Sequence, residues 1–208
     1  MTPYKNDAIN KIYDLLFCDE LDLYKDSYSS PVIYPWDVLF QNDPKSNDLG
    51  KIINDAELDT RQKIIAANIL RSRGTAIDEN RLFAVIVEVA MAEGLDVLAA
   101  YEDGSSRYIN YSEKLIVWDA TTSESNALLV ALFAAAQTVV DNIGPWDGQR
   151  LPPPITGNIG MSFLVSGELY FGEGPFEALA NDAMGGPVIN CAAKLMEFLV
   201  ENSLFHSA

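Results

Sequence analysis

The chain reads as a single α+β domain, with a helical N-terminal region over residues 1–75 and, over residues 80–208, an antiparallel sheet of about five to six strands packed with helices. Three observations carry this reading. Apolar residues up to position 75 recur at helical spacing; from Leu82 the period changes to two; and the dipeptides Glu93-Gly94, Asp103-Gly104 and Ser166-Gly167 punctuate the alternating runs as turns do. A length of 208 residues with 49% apolar content suffices for one core.

Residues 6–17 place Ile9, Ile12, Tyr13 and Leu16 on one stripe, with Asn6 as the cap, and predict an amphipathic helix. Residues 19–40 mix Tyr24, Tyr28, Tyr34 and Trp36 with turn residues, Pro31 and Pro35, and predict an irregular or briefly extended connection whose aromatic rings pack onto the core, against the alternative that they bind a partner. Two helices are expected next, "SNDLGKIINDAE" and "DTRQKIIAANILRSRG". Asp59 or Thr60 caps the second, Arg71 and Arg73 offset its dipole at the C-terminal end, and Gly74 stops it.

In "LFAVIVEVAM" the alternation puts Phe83, Val85, Val87, Val89 and Met91 on one face; Leu95, Val97, Ala99 and Tyr101 alternate in the next run. Two short strands follow, at residues 107–111 and 114–118, or one strand with a bulge near Ser112-Glu113, completing a meander. Apolar residues on both faces, such as Ile86 and Leu98, require cover on both sides, by helices or by a second copy of the chain. The run from 123 to 142 is a helix capped by Ser123 or Ser125 and ended by Gly144-Pro145. A proline-rich loop leads to a hairpin around Ser166-Gly167, a short helix from Pro175 and a longer one opened by Pro187.

With 30 acids against 14 bases, the formal charge is −16. Such a field repels phosphate backbones and anionic headgroups, which argues against nucleic acid and membrane surfaces as partners. The apolar run at 127–140 is too short for a bilayer of about 30 Å and is interrupted by Gln137 and Thr138, so a core helix is expected there. The charged first helix is not the pattern of a secretory signal, and two well-separated cysteines, Cys18 and Cys191, suit a reduced cytoplasm.

The one histidine, His206, stands near the C-terminal end, where chains commonly fray, which removes Ser-His-Asp and Cys-His nucleophile systems. One His and two Cys do not make a structural zinc site, and no acidic ladder for Mg²⁺ or Ca²⁺ is visible. Neither a metal nor a cofactor is expected. Gly172 and Gly174 begin a dinucleotide-like pattern, but Glu173 inside it and Glu177 beyond it would repel a pyrophosphate; a tight turn before a helix is the simpler reading.

Five residues remain as candidates for contact or chemistry. Glu88 interrupts an apolar strand, and a buried carboxylate must find a partner or take up a proton; Arg107, on a neighbouring strand, is the expected partner. Trp146 and Arg150, in a loop stiffened by prolines 152–154, are residue types enriched at interface hot spots, against the alternative that Trp146 merely roofs the core. Glu173 is the fifth.

The strings "GLDVLAAYEDGSSRYINYS", "IGPW" and "LYFGEGPF" together resemble a family of uncharacterised bacterial proteins, over most of the chain from about residue 60. The resemblance implies a bacterial soluble protein and transfers no functional residue. From the residues themselves the expected function is non-catalytic: a cytoplasmic binding or regulatory protein acting through protein contacts, against a basic partner or as a homodimer. The competing expectation is a small-molecule enzyme or ligand-binding domain with working carboxylates, Glu88 or Glu173, which requires a concave site where at least two acids and a tyrosine or arginine converge.

Overall fold

The computed structural model describes residues 2–28, 31–75, 77 and 80–203; His206 lies outside them. Five helices come first: α1 (Asp7–Leu15), α2 (Leu21–Ser27), α3 (Trp36–Leu39), α4 (Ser46–Asn54) and α5 (Thr60–Ser72). Asn6 caps α1, its side-chain oxygen accepting from the Ala8 N–H at 2.9 Å. The expected irregular connection over 19–40 is corrected: it contains α2 and α3. These short helices bring Tyr24, Tyr28, Trp36 and Phe40 into ring contact, with Trp36 5.5 Å from Tyr24 and 5.2 Å from Phe40. Tyr24, Trp36 and Phe40 then pack against the core as half-buried cover.

The sheet follows, with β1 (Leu82–Ala90), β2 (Leu95–Tyr101), β3 (Ser106–Ile109) and β4 (Leu115–Trp118), then α6 (Ser123–Val140), β5 (Asn158–Val165), β6 (Glu168–Pro175), α7 (Phe176–Ala180) and α8 (Gly185–Ser203). Its order is β4-β3-β2-β1-β5-β6, every pair antiparallel. The meander and the later hairpin are therefore two locally connected pieces, joined where β5 pairs with β1. Both faces are covered by helices of the same chain. On one, α1, α4 and α5 contribute Tyr13, Leu49, Ile52, Ile64 and Ala67; on the other, α6 and α8 contribute Leu132, Val139, Val188, Leu195 and Leu199. Burying each large aliphatic side chain contributes about 2 kcal/mol, and this double layer explains why both faces of β1 and β2 are apolar.

Phe83 departs from the alternation. The β1–β5 register shifts between Leu82 and Ala84, so Phe83 is an inserted residue and turns towards α1, α4 and α5, while Val85 and Val87 face α6 and α8. Gly172 and Gly174 lie inside β6 rather than in a turn. The cap of α6 is Thr122, in a reciprocal box with Ser125, not Ser123 or Ser125.

The Asp59 side chain makes no capping bond to α5. Its place is taken by Asp103 from the β2–β3 turn, which accepts the Thr60 N–H at 2.7 Å while its own N–H donates to the Thr60 hydroxyl at 3.1 Å. Burial pushes the Asp103 carboxyl up, but bonds from Thr60 and Ser105 outweigh that and hold it below its ordinary pKa.

Helix α6 is a core helix on one side only: Leu129, Leu132, Ala136, Val139 and Val140 are buried, while Ala127, Ala131, Ala134 and Val130, 59% exposed, face outwards. Among the described residues it is the one helix long and apolar enough by composition to cross a membrane, and 33% of it is buried. Cys18 packs with α1 and α5 and Cys191 with α6 and α8, so the two thiols lie on opposite sides of the sheet and are free.

Candidate functional site

The loop at 144–157 leaves α6, touches the sheet edge and crosses the face that carries α1. Its backbone is tied at two ends: the Trp146 N–H donates to the Leu169 carbonyl at 2.7 Å, and the Gly157 N–H donates to the Ala90 carbonyl at 2.8 Å. The Trp146 indole N–H donates to the Gln149 carbonyl at 3.0 Å, and the chain closes so tightly on the ring that a Cβ on Gly148 would stand 2.7 Å from the indole nitrogen. The other side of the indole meets Phe171 of β6, and the residue remains 40% exposed.

Arg150 does the opposite and turns inwards. Its Nε donates to Asp19 at 2.8 Å and one Nη to Asp14 at 2.9 Å, while the guanidinium lies 4.1 Å from the Phe17 ring centre and 5.6 Å from that of Tyr13. With a side chain only 9% exposed it pins the loop to α1 and to the α1–α2 junction. Desolvation works against its charge, but Asp19 and Asp14 more than offset this and raise its pKa.

Beneath it lies Glu88, 4% exposed, accepting the Tyr13 hydroxyl at 2.6 Å. Burial drives its pKa up to about 7; the Tyr13 bond and the Arg150 charge pull it down, and Glu173 adds to the rise. The register explains the influence of Glu173. Glu88 pairs with Gly160 and Gly160 with Glu173, so the two carboxylates bracket a glycine in one cross-strand row. A Cβ on Gly160 would lie 3.6 Å from Glu88 Oε2, and the Ser162 hydroxyl, on the same face of β5, is buried with no hydrogen-bond partner among the described residues. Glu173 itself is exposed and accepts from the Asn158 amide at 3.1 Å.

The expected Glu88–Arg107 pair does not form. Arg107 stands opposite Ala99 and Glu88 opposite Val97, with β2 between their strands. Arg107 instead pairs with Asp119 at 2.8 Å and donates to the Ser106 and Trp118 carbonyls at 2.8 and 3.3 Å, fastening the end of the meander. Sequence reasoning missed Tyr13, Asp14 and Asp19. A signal for Tyr13 existed: the helical stripe buries it, and a buried phenol needs an acceptor, which an isolated carboxylate in an apolar strand supplies.

Between the loop, the α1–α2 junction, α5 and the β5–β6 hairpin opens a cleft of about 790 Å³, lined among others by Phe17, Asn68, Trp146 and Leu169. Its two arginines are committed, Arg71 to Glu168 and Arg150 to Asp14 and Asp19. Glu20 and Asp147, also on its walls, are exposed and make no ion pair among the described residues. Arg71 and Arg73, the latter bonded to Asp43 and to the Pro44 carbonyl, therefore present no free basic patch. Among the described residues no three His, Cys, Asp or Glu side chains converge as a metal site.

The fold and the cleft together define an α+β protein whose six-stranded antiparallel sheet is sandwiched between helices and whose proline-rich loop roofs an acidic cleft. No family model, curated protein or solved structure matches the chain.

Proposed function

We propose that the protein is a non-catalytic binding protein of the cytoplasm that works through protein contacts and takes a cationic segment of its partner into the cleft beneath the 144–157 loop. One observation carries the reading: the cleft is lined by the carboxylates Glu20 and Asp147, which make no ion pair among the described residues, and by a half-open tryptophan, Trp146, while both of its arginines are already paired. An incoming ammonium or guanidinium meets charge and an aromatic face together, worth about 0.5–2 kcal/mol for the cation–π part. The net charge of −16 attracts such a partner from a distance.

Titration with octalysine, followed by tryptophan emission, tests this. Octalysine is expected to bind, to lose at least tenfold in affinity between 50 and 300 mM salt by screening, and to lose its optical signal in Trp146→Phe; octaglutamate is not expected to bind. Equal binding of both peptides, or none at low salt, would sink the proposal.

A second reading, a ligand-binding or catalytic site that uses carboxylates, is favoured by the row Glu88, Gly160 and Glu173 with Tyr13 and Arg150 above it. It requires the 144–157 loop to lift, since Glu88 is 4% exposed and Pro154 lies over Gly160 beside it. Crystals soaked with small amines or carboxylic acids that leave the Glu88 row empty would count against it.

A further inference from the structure

The two-residue turn at Ser166 and Gly167, both with positive φ of 41° and 82°, makes Val165 and Glu168 a mutually bonded pair. Antiparallel bonding alternates from there. Glu168, Tyr170, Gly172 and Gly174 direct their amides and carbonyls at β5, and Leu169, Phe171 and Glu173 direct theirs away from the sheet. One of these outward groups is occupied, the Leu169 carbonyl, by the Trp146 N–H. The loop thus begins a seventh strand and abandons it after a single bond. The backbone groups of Phe171 and Glu173 have no partner among the described residues.

An unpaired edge is ordinary, but edges are usually blunted by shortness, bulges, proline or inward charge. The opposite edge, β4, is only four residues long. The β6 edge runs for eight residues with no register shift against β5, and its proline, Pro175, stands at the very end. It also adjoins the acidic cleft, which Glu168 and Leu169 help to line.

We propose that β6 is a docking edge on which an extended, lysine- or arginine-rich segment of a partner adds as a further strand, continuing the one that Trp146 begins. This rests on the cationic-partner reading above and specifies how the partner is held. Charge selects the occupant. A second copy would bring another Glu173 and another −16 to the same edge, whereas a cationic strand meets Glu173, Glu20 and Asp147 with opposite sign.

The pleat fixes which of its residues matter. Partner residues bonded opposite Phe171 and Glu173 share the face of those side chains, the face of Gly160, Glu88 and the loop. The residues that donate to the edge are therefore also those whose side chains share the face of Glu173.

The test uses the full chain and two capped decapeptides of alternating lysine and threonine, one unmodified and one N-methylated at every lysine, with identical charge. The unmodified peptide is expected to bind at least tenfold more tightly and to slow hydrogen exchange at the Phe171 and Glu173 amides. Equal binding of the two peptides without such protection overturns strand addition and leaves the cationic reading intact. Binding of neither peptide at low salt overturns both. Protection at Leu115 and Val117 of β4 instead of β6 overturns the choice of edge.

Discussion

Replacing Glu88 by glutamine is the sharpest probe of the loop's foundation. The carboxyl is 4% exposed and its pKa rises from an ordinary 4.5 to about 7, chiefly because burial disfavours the charged form. The folded chain therefore holds this proton more tightly than the unfolded chain. Below pH 4.5 the group is protonated in both states and has no effect on the balance; between pH 4.5 and 7 the unfolded state ionises first, and stability falls with rising pH; above 7 the loss is complete. At about 1.4 kcal/mol for each tenfold difference in proton affinity, the loss amounts to ~3 kcal/mol.

Glutamine keeps the carbonyl that Tyr13 donates to and cannot ionise. Glu88→Gln is expected to match the parent within about 1 kcal/mol at pH 4.5 and to exceed it by about 2–3 kcal/mol at pH 8.5. Urea unfolding of both proteins at half-unit pH steps measures the difference directly, and subtracting the curves cancels every other carboxylate. A difference that does not change between pH 4.5 and 8.5, or that grows towards acid, would refute the assignment of Glu88 as the buried proton holder.

Other substitutions test the surrounding geometry. Tyr13→Phe removes the hydrogen bond that favours ionised Glu88, so the stability transition should move to higher pH in the same urea series, with a loss of about 1–2 kcal/mol at neutral pH. Arg150→Lys offers one ammonium where Asp14 and Asp19 need a fork; it should cost about 1–2 kcal/mol in urea unfolding and shift Trp146 emission to the red as the loop loosens. Gly167→Ala places a Cβ 2.8 Å from the Ala67 carbonyl oxygen at a φ of 82°, and should destabilise by about 2 kcal/mol or more, whereas Val130→Ser on the open face of α6 should stay within about 0.5 kcal/mol. Burial pushes the Cys18 thiol up to about 12, so a maleimide should label Cys191 in the folded protein and Cys18 only on unfolding.

Local periodicity is what the sequence transmits well. The switch to period two at Leu82, the turns at Gly94, Gly104 and Ser166-Gly167, and the stripe of α1 placed these elements correctly because each depends on neighbours a few positions away. Phe83 broke the pattern because a bulge is set by the partner strand, and β5 lies far along the chain. Residues 19–40 hid α2 and α3 because mutual stacking of their rings overrides weak helix propensity. The site was legible in part. Glu88 stood out as a charge in an apolar run, yet its partner is Tyr13, 75 positions away, and the anchors of Arg150 lie 131 and 136 positions away. Arg107 was the nearer guess along the chain, but strand order put β2 between the two.

The seam between β1 and β5 gives the cleft a mechanical meaning. Local pairing builds two pieces of sheet, the β1–β4 meander with α1 to α5 on one face and the β5–β6 hairpin followed by α7 and α8, and the cleft is walled by both: Phe17 and Asn68 from the first, Leu169 and Glu168 from the second. An occupant of the cleft would touch both pieces, whose pairing through β1 and β5 is the longest-range closure in the sheet. Occupancy and folding are then linked: an occupant that binds only the folded chain, at a hundred times its dissociation constant, adds about 2.7 kcal/mol to the folded state.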